Sequence, residues 1–391
     1  MKILIINSVL DFGSTGRICL NAAKYFSKLG YEVKIAYGRF DPSYKSSETF
    51  GYRIGSKKDL FCHALLTRMF DIHGFGSKIA TKKFLTWADE FNPDIVWLHN
   101  LHGYYINVKL LFKWLKKRDL KVFWTLHDCW SFTGHCSHFS FVGCEQWVSG
   151  CKKCPQKKEY PASFVSKAKN NYLRKKEIFT SLSDLTIITP SMWLKELVSR
   201  SFLKKYPIEV INNGIDFSSF YFKTNNDSHL SEKHQKTIMC ISSFWNERKG
   251  LGDVIKLSSM LFSDERIVLI GKLPDGLKLA KNIYYIPRTN DLNELRNIYT
   301  SSDVMFNPTY EDTYSNINME SLICHTPVVC YKTCGAYEML DNRFVVNQGD
   351  LTSALKIMRE VFSGKLNYDF SNTSSFSEMI ALEKYKNLLF K

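Results

Sequence analysis

Four short segments of this 391-residue sequence combine residue types that bind phosphates, sugars or nucleotides. In the first, Gly13-Ser-Thr-Gly16 follows an apolar run, and such glycines let backbone N–H groups approach an anion where a helix begins. In the second, His127-Asp128 follows another apolar run, so its imidazole is placed to hydrogen-bond a sugar hydroxyl or to stabilise developing charge. Taken alone, the first segment could equally be a plain tight turn, and a purely structural histidine is the stronger explanation of the second.

The other two segments carry charged residues that suit a nucleoside diphosphate. Arg248-Lys249 lies where a strand is predicted to give way to a helix, and its cations could neutralise a leaving diphosphate. Glu311 and Asp312 precede a predicted helix that contains Glu320. A solvated basic turn and ordinary acidic helix capping are the competing explanations.

The predicted helix after Asp312 adds backbone donors to these charges. Its N-terminus, near Ser315 and Asn316, offers N–H groups and the positive end of the helix dipole, both of which suit a diphosphate. Glu320 lies one turn inside the helix, where its carboxylate can accept hydrogen bonds from the vicinal hydroxyls of a ribose. The segment therefore predicts a nucleotide-binding site.

Short apolar runs, rich in β-branched residues, alternate with amphipathic stretches along the chain and must position these segments. Runs that are apolar throughout are typical of strands buried on both faces, and their alternation with helices predicts parallel, doubly wound sheets. The predicted strands are 3–6, 33–37, 94–98, 122–126, 185–189, 208–211, 237–241, 267–270, 283–286, 304–307 and 328–331.

The predicted fold class is α/β, with two Rossmann-like domains. The N-terminal domain is expected over residues 1–212, with a cysteine-rich loop at 127–160, and the C-terminal domain over 237–372. Residues 213–236 lose the alternation and are predicted to be a linker, and residues 373–391 are predicted to form a helix that crosses back to the N-terminal domain. Because parallel sheets bind ligands beyond the carboxyl ends of their strands, we expect the domains to face each other across a ligand-binding cleft.

The positive charge of the chain lies entirely in its first half. The sequence has 53 Lys and Arg against 38 Asp and Glu, a formal net charge of +15. Residues 1–220 hold 33 of these basic and 18 of these acidic residues, so the remainder is neutral. A composition that is 45% hydrophobic and 23% charged excludes collagen, coiled coil and bulk disorder. The uneven charge predicts an anionic partner for the first half: nucleic acid, an anionic membrane or a phosphorylated substrate.

In their order along the chain, these segments strongly resemble glycosyltransferase family 4 (glycosyl transferases group 1), the retaining enzymes with the GT-B fold. Further matching segments are Thr189-Pro190-Ser191, Asn213-Gly214, Asp216 and Thr326-Pro-Val-Val. The cysteine-rich loop is similar to that of a subgroup from bacterial surface-polysaccharide biosynthesis. The resemblance implies a hexosyltransferase that moves a sugar, with retention, from a nucleotide sugar to a hydroxyl of a saccharide acceptor.

The resemblance also implies a role for each candidate residue. His127 would lie beside the transferred sugar, which Asp312 or its neighbour Glu311 would touch. Lys249 and Arg248 would hold the donor diphosphate. The remaining binding residues would be Gly13, Gly16, Ser315, Asn316 and Glu320.

The implied partners are a UDP- or GDP-sugar and a lipid-linked saccharide, and no further cofactor is expected for catalysis. The expected location is the cytoplasm, with peripheral attachment to the inner face of the membrane, because a basic N-terminal half suits anionic lipids. The basic clusters at residues 113–118 and 174–176 are candidates for that contact, and solvated helix faces are the alternative. No apolar run is long enough to predict a membrane-spanning helix.

Four cysteines in the irregular loop leave the loop's chemistry open. Cys136, Cys144, Cys151 and Cys154 include a C-x2-C pair, and four thiolates could form a structural zinc site whose closed coordination shell excludes catalysis. Packed reduced thiols and disulfides are the alternatives, and the lack of a leader-like apolar run at the N-terminus favours a reducing compartment.

Two other functions fit parts of the sequence. A basic, zinc-containing nucleic-acid-binding protein would explain the charge and the cysteines, but the lysines are dispersed and no nucleic-acid-binding module appears, so nucleic acid is not the expected partner. A nucleotide-sugar epimerase with the GT-B fold is the nearer alternative. Transfer to an added acceptor distinguishes a transferase from this epimerase.

Overall fold

The protein is described here by a computed structural model that covers residues 1–41, 47–222, 235–287, 289 and 291–391. The chain divides into two compact units: unit 1 contains Met1–Ile211 together with Tyr385–Lys391, and unit 2 contains Asn212–Lys384. The expected linker, residues 213–236, falls at the start of unit 2 and lies partly outside the described residues. Each unit is built around a parallel β-sheet of its own.

The strands of unit 1 form one parallel sheet. They are β1 (Lys2–Leu10), β2 (Glu32–Phe40), β3 (Gly51–Arg53), β4 (Ile95–Leu98), β5 (Lys121–Thr125), β6 (Leu185–Thr189) and β7 (Ile208–Val210). In the described residues the sheet has seven strands in the order β3-β2-β1-β4-β5-β6-β7. Strands β1, β4 and β5 are almost wholly buried, which explains their continuous apolar sequences. Their carboxyl ends are therefore neighbours at one edge of the sheet.

Helices connect these strands and cover the sheet of unit 1. They are α1 (Gly13–Lys28), α2 (Ser47–Phe50), α3 (Lys57–Phe70), α4 (Lys78–Phe91), α5 (Val108–Arg118), α6 (Gln146–Ser149), α7 (Ala168–Phe179) and α8 (Met192–Arg200). The side chains of Ser56, Asn107 and Ser191 accept hydrogen bonds from backbone N–H groups in the first turns of α3, α5 and α8. These caps satisfy donors that the helices cannot satisfy internally, and they set where each helix begins.

Unit 2 repeats the same architecture. Its strands are β8 (Lys236–Phe244), β9 (Glu265–Lys272), β10 (Ile283–Ile286), β11 (Val304–Asn307), β12 (Val328–Tyr331) and β13 (Val345–Val346). Its helices are α9 (Leu251–Ser258), α10 (Leu292–Ser301), α11 (Asn316–Ile323), α12 (Leu351–Phe362) and α13 (Glu378–Leu389), whose last residues belong to unit 1. The described strands are parallel in the order β10-β9-β8-β11-β12-β13. The loops that follow β8 and β11 therefore leave the sheet side by side.

Buried tryptophans connect the core of unit 1 to its carboxyl edge. The Trp97 indole donates a hydrogen bond to Thr125 Oγ1 at 2.9 Å, and the Trp124 indole donates to the backbone carbonyl of His99, also at 2.9 Å. Tyr385, from the end of the chain, packs on Trp97 with ring centroids 4.6 Å apart. The core thus holds the backbone at the ends of β4 and β5, from which site residues project.

The predicted α/β class is confirmed, since each unit contains a parallel sheet with interleaved helices. Every predicted strand occurs, and the sequence did not reveal β3 and β13, which have only three and two residues. Elements this short carry too few residues for a detectable hydrophobic period. Among the described residues, none of the helices is both long enough and apolar enough to cross a membrane.

Candidate active-site residues

The turn between β1 and α1 lies at the carboxyl edge of the sheet in unit 1. Gly13 begins α1 with a φ of 66°, in the left-handed region that favours glycine. A Cβ on Gly16 would lie 3.1 Å from the backbone nitrogen of Asp11, so α1 packs directly against the end of β1. The N-cap residue is Phe12, whose side chain offers no acceptor to the first-turn N–H groups. The turn is therefore tightly packed, and the N-cap side chain leaves the first-turn N–H groups of α1 uncapped.

His127 follows β5 and is hydrogen-bonded to a histidine that was not predicted as a site residue. Its Nε2 lies 3.0 Å from Nδ1 of His99, which follows β4, and the two rings stack with centroids 5.3 Å apart. Burial lowers the pKa of His127 to about 4, against the opposing effect of Asp128, and burial also lowers the pKa of His99 well below its usual range. Both imidazoles are therefore neutral near pH 7.

Asp128 provides a fixed negative charge beside His127. Its Oδ2 lies 2.7 Å from Nε2 of His102, and its Oδ1 accepts a hydrogen bond from the Trp130 backbone at 2.9 Å. Burial alone raises the pKa of this carboxyl, but the charge and hydrogen bond of His102 outweigh burial and lower the pKa to about 2. His102 Nδ1 lies 2.9 Å from the Tyr160 hydroxyl, so the imidazole links the carboxylate to Tyr160. The sequence signal for His99 and His102 was a pair of histidines directly after a predicted strand.

In unit 2, Lys249 and Asp312 form an ion pair. Lys249 Nζ lies 2.7 Å from Asp312 Oδ2, and 22% and 24% of these side chains are exposed. Arg248 Nη1 donates to the backbone carbonyl of Glu311 at 2.9 Å, and the Tyr310 N–H donates to the carbonyl of Arg248 at 2.8 Å. The loop after β8 and the loop after β11 are thus bound to each other through the predicted site residues.

Local backbone features fix the loop that carries the two cations. Gly250 has a φ of 78°, and a Cβ there would lie 2.2 Å from the carbonyl oxygen of Pro308, so only glycine fits without displacing the neighbouring loop. Asn246 Oδ1 accepts a hydrogen bond from the Lys249 N–H at 3.0 Å and caps the single 3-10 turn Glu247–Lys249. The Arg248 and Lys249 side chains therefore start from a defined backbone.

The two adjacent acids of unit 2 have different surroundings. Glu311 is 1% exposed, whereas Asp312 is partly exposed and reaches Lys249. Asp312 is therefore the more accessible of the two. Because a bound sugar must reach the side chain that it contacts, Asp312 is the better candidate for that contact.

The segment that begins α11 is held by a network of polar side chains. Asn307 Nδ2, at the end of β11, donates to Ser315 Oγ at 3.2 Å. Asn316 Oδ1 accepts from Asn213 Nδ2 at 3.1 Å. Further along α11, Glu320 Oε2 accepts a hydrogen bond from the Tyr299 hydroxyl at 2.9 Å.

The structure brings the predicted residues together within each unit. In unit 2, seven of them lie in the loops after β8 and β11 or in α11: Arg248, Lys249, Glu311, Asp312, Ser315, Asn316 and Glu320. In unit 1, Gly13, Gly16 and His127 lie at the carboxyl ends of β1 and β5, which flank β4.

The four cysteines of the loop line one cavity of about 10 Å³ in unit 1. The Cys136 and Cys154 thiols are hydrogen-bonded to each other, and Cys151 Sγ accepts from the Gly134 N–H at 3.2 Å. In the part of the chain that the structure describes, no group of three or more His, Cys, Asp or Glu is arranged to hold a metal ion. The structure therefore gives no support to structural zinc at Cys136, Cys144, Cys151 and Cys154, which stays a prediction.

The family models match both units. The model of Glycosyltransferase Family 4 matches residues 15–219, more than half of the chain, and that of Glycosyl transferases group 1 matches residues 235–362. The chain belongs to glycosyltransferase family 4. It is therefore a glycosyltransferase, as the resemblance implied.

Named relatives of this family 4 enzyme cover its whole length. It is 24% identical to the putative colanic acid biosynthesis glycosyl transferase WcaC of Escherichia coli K12, over 99% of each chain. Among solved structures it is similar to sucrose-phosphate synthase from Thermosynechococcus elongatus, with a TM-score of 0.72 at 12% identity over 99% of this chain and 98% of the other. It is also similar to Anabaena Alr3699/HepE in complex with UDP-glucose, with a TM-score of 0.68 at 14% identity over 100% and 99% of the two chains. These similarities confirm the GT-B fold class.

Proposed function

We propose that this family 4 enzyme is a retaining hexosyltransferase that moves a sugar from a UDP- or GDP-sugar to a hydroxyl of a lipid-linked saccharide. The relative WcaC, which is described as a colanic acid enzyme, supports a place in surface-polysaccharide biosynthesis. The similar HepE structure contains UDP-glucose, which makes UDP-glucose the first donor to test.

One observation carries the donor side of this proposal. The Lys249–Asp312 pair joins the loop after β8 to the loop that precedes α11, so cations, a carboxylate and a helix N-terminus converge in unit 2. Such a set can hold a diphosphate by charge-assisted hydrogen bonds from Lys249, Arg248 and the N–H groups near Ser315 and Asn316. Glu320, further along α11, binds the ribose hydroxyls.

The proposed step exchanges one C–O bond for another on the same face of the sugar. The bond between the anomeric carbon and the phosphate oxygen breaks, the bond between that carbon and the acceptor oxygen forms, and the leaving phosphate takes the hydroxyl proton. Lys249 and Arg248 stabilise the negative charge of the departing diphosphate. Asp312 contacts the sugar ring, and its neighbour Glu311 is the alternative residue for this contact. No metal ion is required, because these groups supply the positive charge.

The acceptor side of the proposal rests on unit 1. His127, neutral at pH 7, donates a hydrogen bond to the transferred sugar, and the Gly13–Gly16 turn contacts phosphate or acceptor through its backbone. The surplus positive charge of the first half suits an acceptor whose lipid diphosphate lies in an anionic membrane. The enzyme would then act in the cytoplasm, attached to the inner face of the membrane.

Two measurements test this function. In the first, thermal unfolding is followed with UDP-glucose, GDP-mannose and ADP-glucose, and a specific donor raises the melting temperature because it binds only the folded chain. In the second, the matching donor is incubated with a saccharide acceptor, and NMR determines the anomeric configuration of the product. Retention supports the proposal, inversion contradicts the proposed step, and epimerisation of the nucleotide sugar without an acceptor would establish the alternative function.

A further inference from the structure

The outward face of α3 is apolar, the reverse of an ordinary surface helix. Phe61, Leu65 and Met69 are 69%, 50% and 45% exposed, whereas His63 and Thr67 of the same helix are buried. A helix on the surface of a globular protein normally turns its apolar side chains inward and its polar ones to solvent.

Hydrogen bonds hold α3 in this orientation. Ser56 and Asp59 form a capping box at its start, each accepting a hydrogen bond from the backbone of the other. His63 Nε2 accepts from the Gly76 N–H at 3.1 Å, and its Nδ1 lies 2.9 Å from Ser77 Oγ. Rotation of α3 to bury its apolar side would break these bonds and leave buried polar groups unpaired, which is costly.

A second segment extends the apolar surface. The Phe164 N–H donates to the carbonyl of Arg68 at 2.8 Å, and the Lys167 N–H donates to Asp71 Oδ2 at 2.6 Å, so this segment is fastened to the C-terminal end of α3. The combined surface, called the α3 face below, consists of the exposed side chains Phe61, Leu65, Leu66, Met69, Phe70, Phe164 and Val165.

Basic side chains border the α3 face. The Arg68 guanidinium lies 5.4 Å from the centre of the Phe164 ring, and the Lys167 ammonium lies 5.6 Å from that of Phe70. Lys57 and Lys58 are exposed in the first turn of α3, and the only acid of the helix is the Asp59 of the capping box. Aromatic and aliphatic side chains bordered by lysine and arginine suit the interface of an anionic lipid bilayer.

The basic cluster at residues 113–118 lacks this combination of charged and exposed apolar side chains. In α5, Lys116 and Lys117 are exposed, but Trp114 and Leu115 are buried. Residues 113–118 of α5 can therefore attract anionic headgroups, but they expose no large apolar side chain that could insert below those headgroups.

We propose that the α3 face is the surface by which unit 1 docks on an anionic lipid bilayer. A second copy of the chain fits it less well, because self-association would bring Lys57, Lys58 and Arg68 against the same charges. This inference deepens the membrane attachment in the proposed function, and its test is independent of sugar transfer.

The test measures co-sedimentation of the full-length enzyme with vesicles of phosphatidylglycerol, at increasing salt, and with vesicles of phosphatidylcholine. The Phe61→Gln/Leu65→Gln double variant removes two apolar side chains from the α3 face. The matched control is Phe262→Gln/Tyr284→Gln, which removes two comparably exposed rings from unit 2. Circular dichroism checks that all variants remain folded.

If the α3 face docks on the bilayer, Phe61→Gln/Leu65→Gln should bind phosphatidylglycerol vesicles roughly tenfold or more weakly than the parent enzyme. The control variant should bind them as the parent enzyme does. Lys57→Gln/Lys58→Gln should weaken binding several-fold and reduce its salt dependence. Equal binding to phosphatidylcholine, or unchanged binding in the Phe61→Gln/Leu65→Gln variant, would overturn the proposal. So would a dimer in sedimentation velocity that this variant dissociates. Donor binding in the thermal assay remains the separate measure of the transferase function.

Discussion

His99 Nδ1 and His127 Nε2 lie 3.0 Å apart in a hydrogen bond between two neutral imidazoles. One ring must donate and the other must accept. His99 Nε2 is buried without a hydrogen-bond partner among the described residues, so a proton on that nitrogen would be an unsatisfied buried donor. The proton of His99 is therefore on Nδ1, where it donates to His127. This fixes the His127 proton on Nδ1, from which it can donate to a ligand.

His99 is thus a positioning residue for His127, and a pair of similarly shaped substitutions tests this. His99→Asn keeps an N–H donor near the position of Nδ1, whereas His99→Leu has a similar shape and no donor. We expect kcat to fall about tenfold more in His99→Leu than in His99→Asn, since one hydrogen bond contributes about 1 kcal/mol or more in a buried site. Steady-state kinetics of sugar transfer provide the measurement.

The two His99 variants also need a stability control, because each leaves space around the ring of His127. Their urea midpoints should be similar. Equal kcat values in both variants would show that the hydrogen bond does not orient His127.

Two histidines that stay neutral in the folded chain predict a loss of stability at mildly acidic pH. The pKa values of His63 and His127 are lowered, chiefly by burial, to about 4, whereas an unfolded histidine titrates near 6.5. The unfolded chain therefore binds more protons between these values, and stability falls as the pH decreases from about 6.5 towards 4. We expect each of these histidines to remove about 1–2 kcal/mol from the free energy of unfolding between pH 7 and pH 5.

Urea unfolding at pH 7 and pH 5 measures this effect. In His63→Gln, the amide oxygen can still accept from the Gly76 N–H, but the side chain no longer titrates. The difference between the urea midpoints at pH 7 and pH 5 should therefore be smaller in His63→Gln than in the parent enzyme, whatever the stability of the variant at either pH. A difference as large as in the parent enzyme would show that His63 does not contribute. Asp128, with a pKa of about 2, titrates below this pH range.

The sequence predicted the fold well because buried parallel strands leave continuous apolar runs, and the candidate site residues were chosen at the predicted strand ends. It could not predict the partners of the site residues. Lys249 and Asp312 are 63 positions apart, and they meet only because β8 lies beside β11. His99 similarly reaches His127 because β4 lies beside β5. In α3, apolar residues occur around most of the helix, so no period indicated which side faces outward.

The Lys249–Asp312 pair should contribute to donor binding much more than to folding. Both side chains are partly exposed, so we expect Lys249→Gln to change the free energy of unfolding by less than about 1 kcal/mol. Loss of a charged hydrogen bond to the diphosphate should raise the Kd for UDP at least about tenfold. Isothermal titration calorimetry with UDP gives this constant.

Two comparisons make the Lys249 prediction specific. Lys256, in α9, is a more exposed lysine whose Nζ lies 3.9 Å from Asp253 Oδ1. Lys256→Gln should leave UDP binding unchanged. Uridine carries no phosphate, so Lys249→Gln should bind uridine as the parent enzyme does. A proportional loss of uridine and UDP binding would place Lys249 away from the diphosphate.

Glu320 is predicted to bind the ribose of the donor, with Tyr299 as its positioning residue. The Tyr299 hydroxyl donates to Glu320 at 2.9 Å, and burial, together with the Glu320 charge, raises the pKa of Tyr299 well above its usual range, so it remains a donor. We expect Glu320→Gln to raise the donor KM about tenfold or more, because a charged hydrogen bond to a hydroxyl contributes about 1.5–3 kcal/mol. Tyr299→Phe should raise KM less and leave kcat nearly unchanged.

A donor that lacks the ribose hydroxyls distinguishes direct binding from an indirect effect of Glu320. With the 2′,3′-dideoxy analogue of the nucleotide sugar, the parent enzyme should lose about as much affinity as Glu320→Gln loses with the natural donor. Glu320→Gln should then lose little more with the analogue, because the interaction has already been removed. If the affinity losses from the substitution and from the analogue instead add fully, Glu320 does not contact the ribose. The hydrogen bond between Glu320 and Tyr299 would then serve only to join α10 to α11.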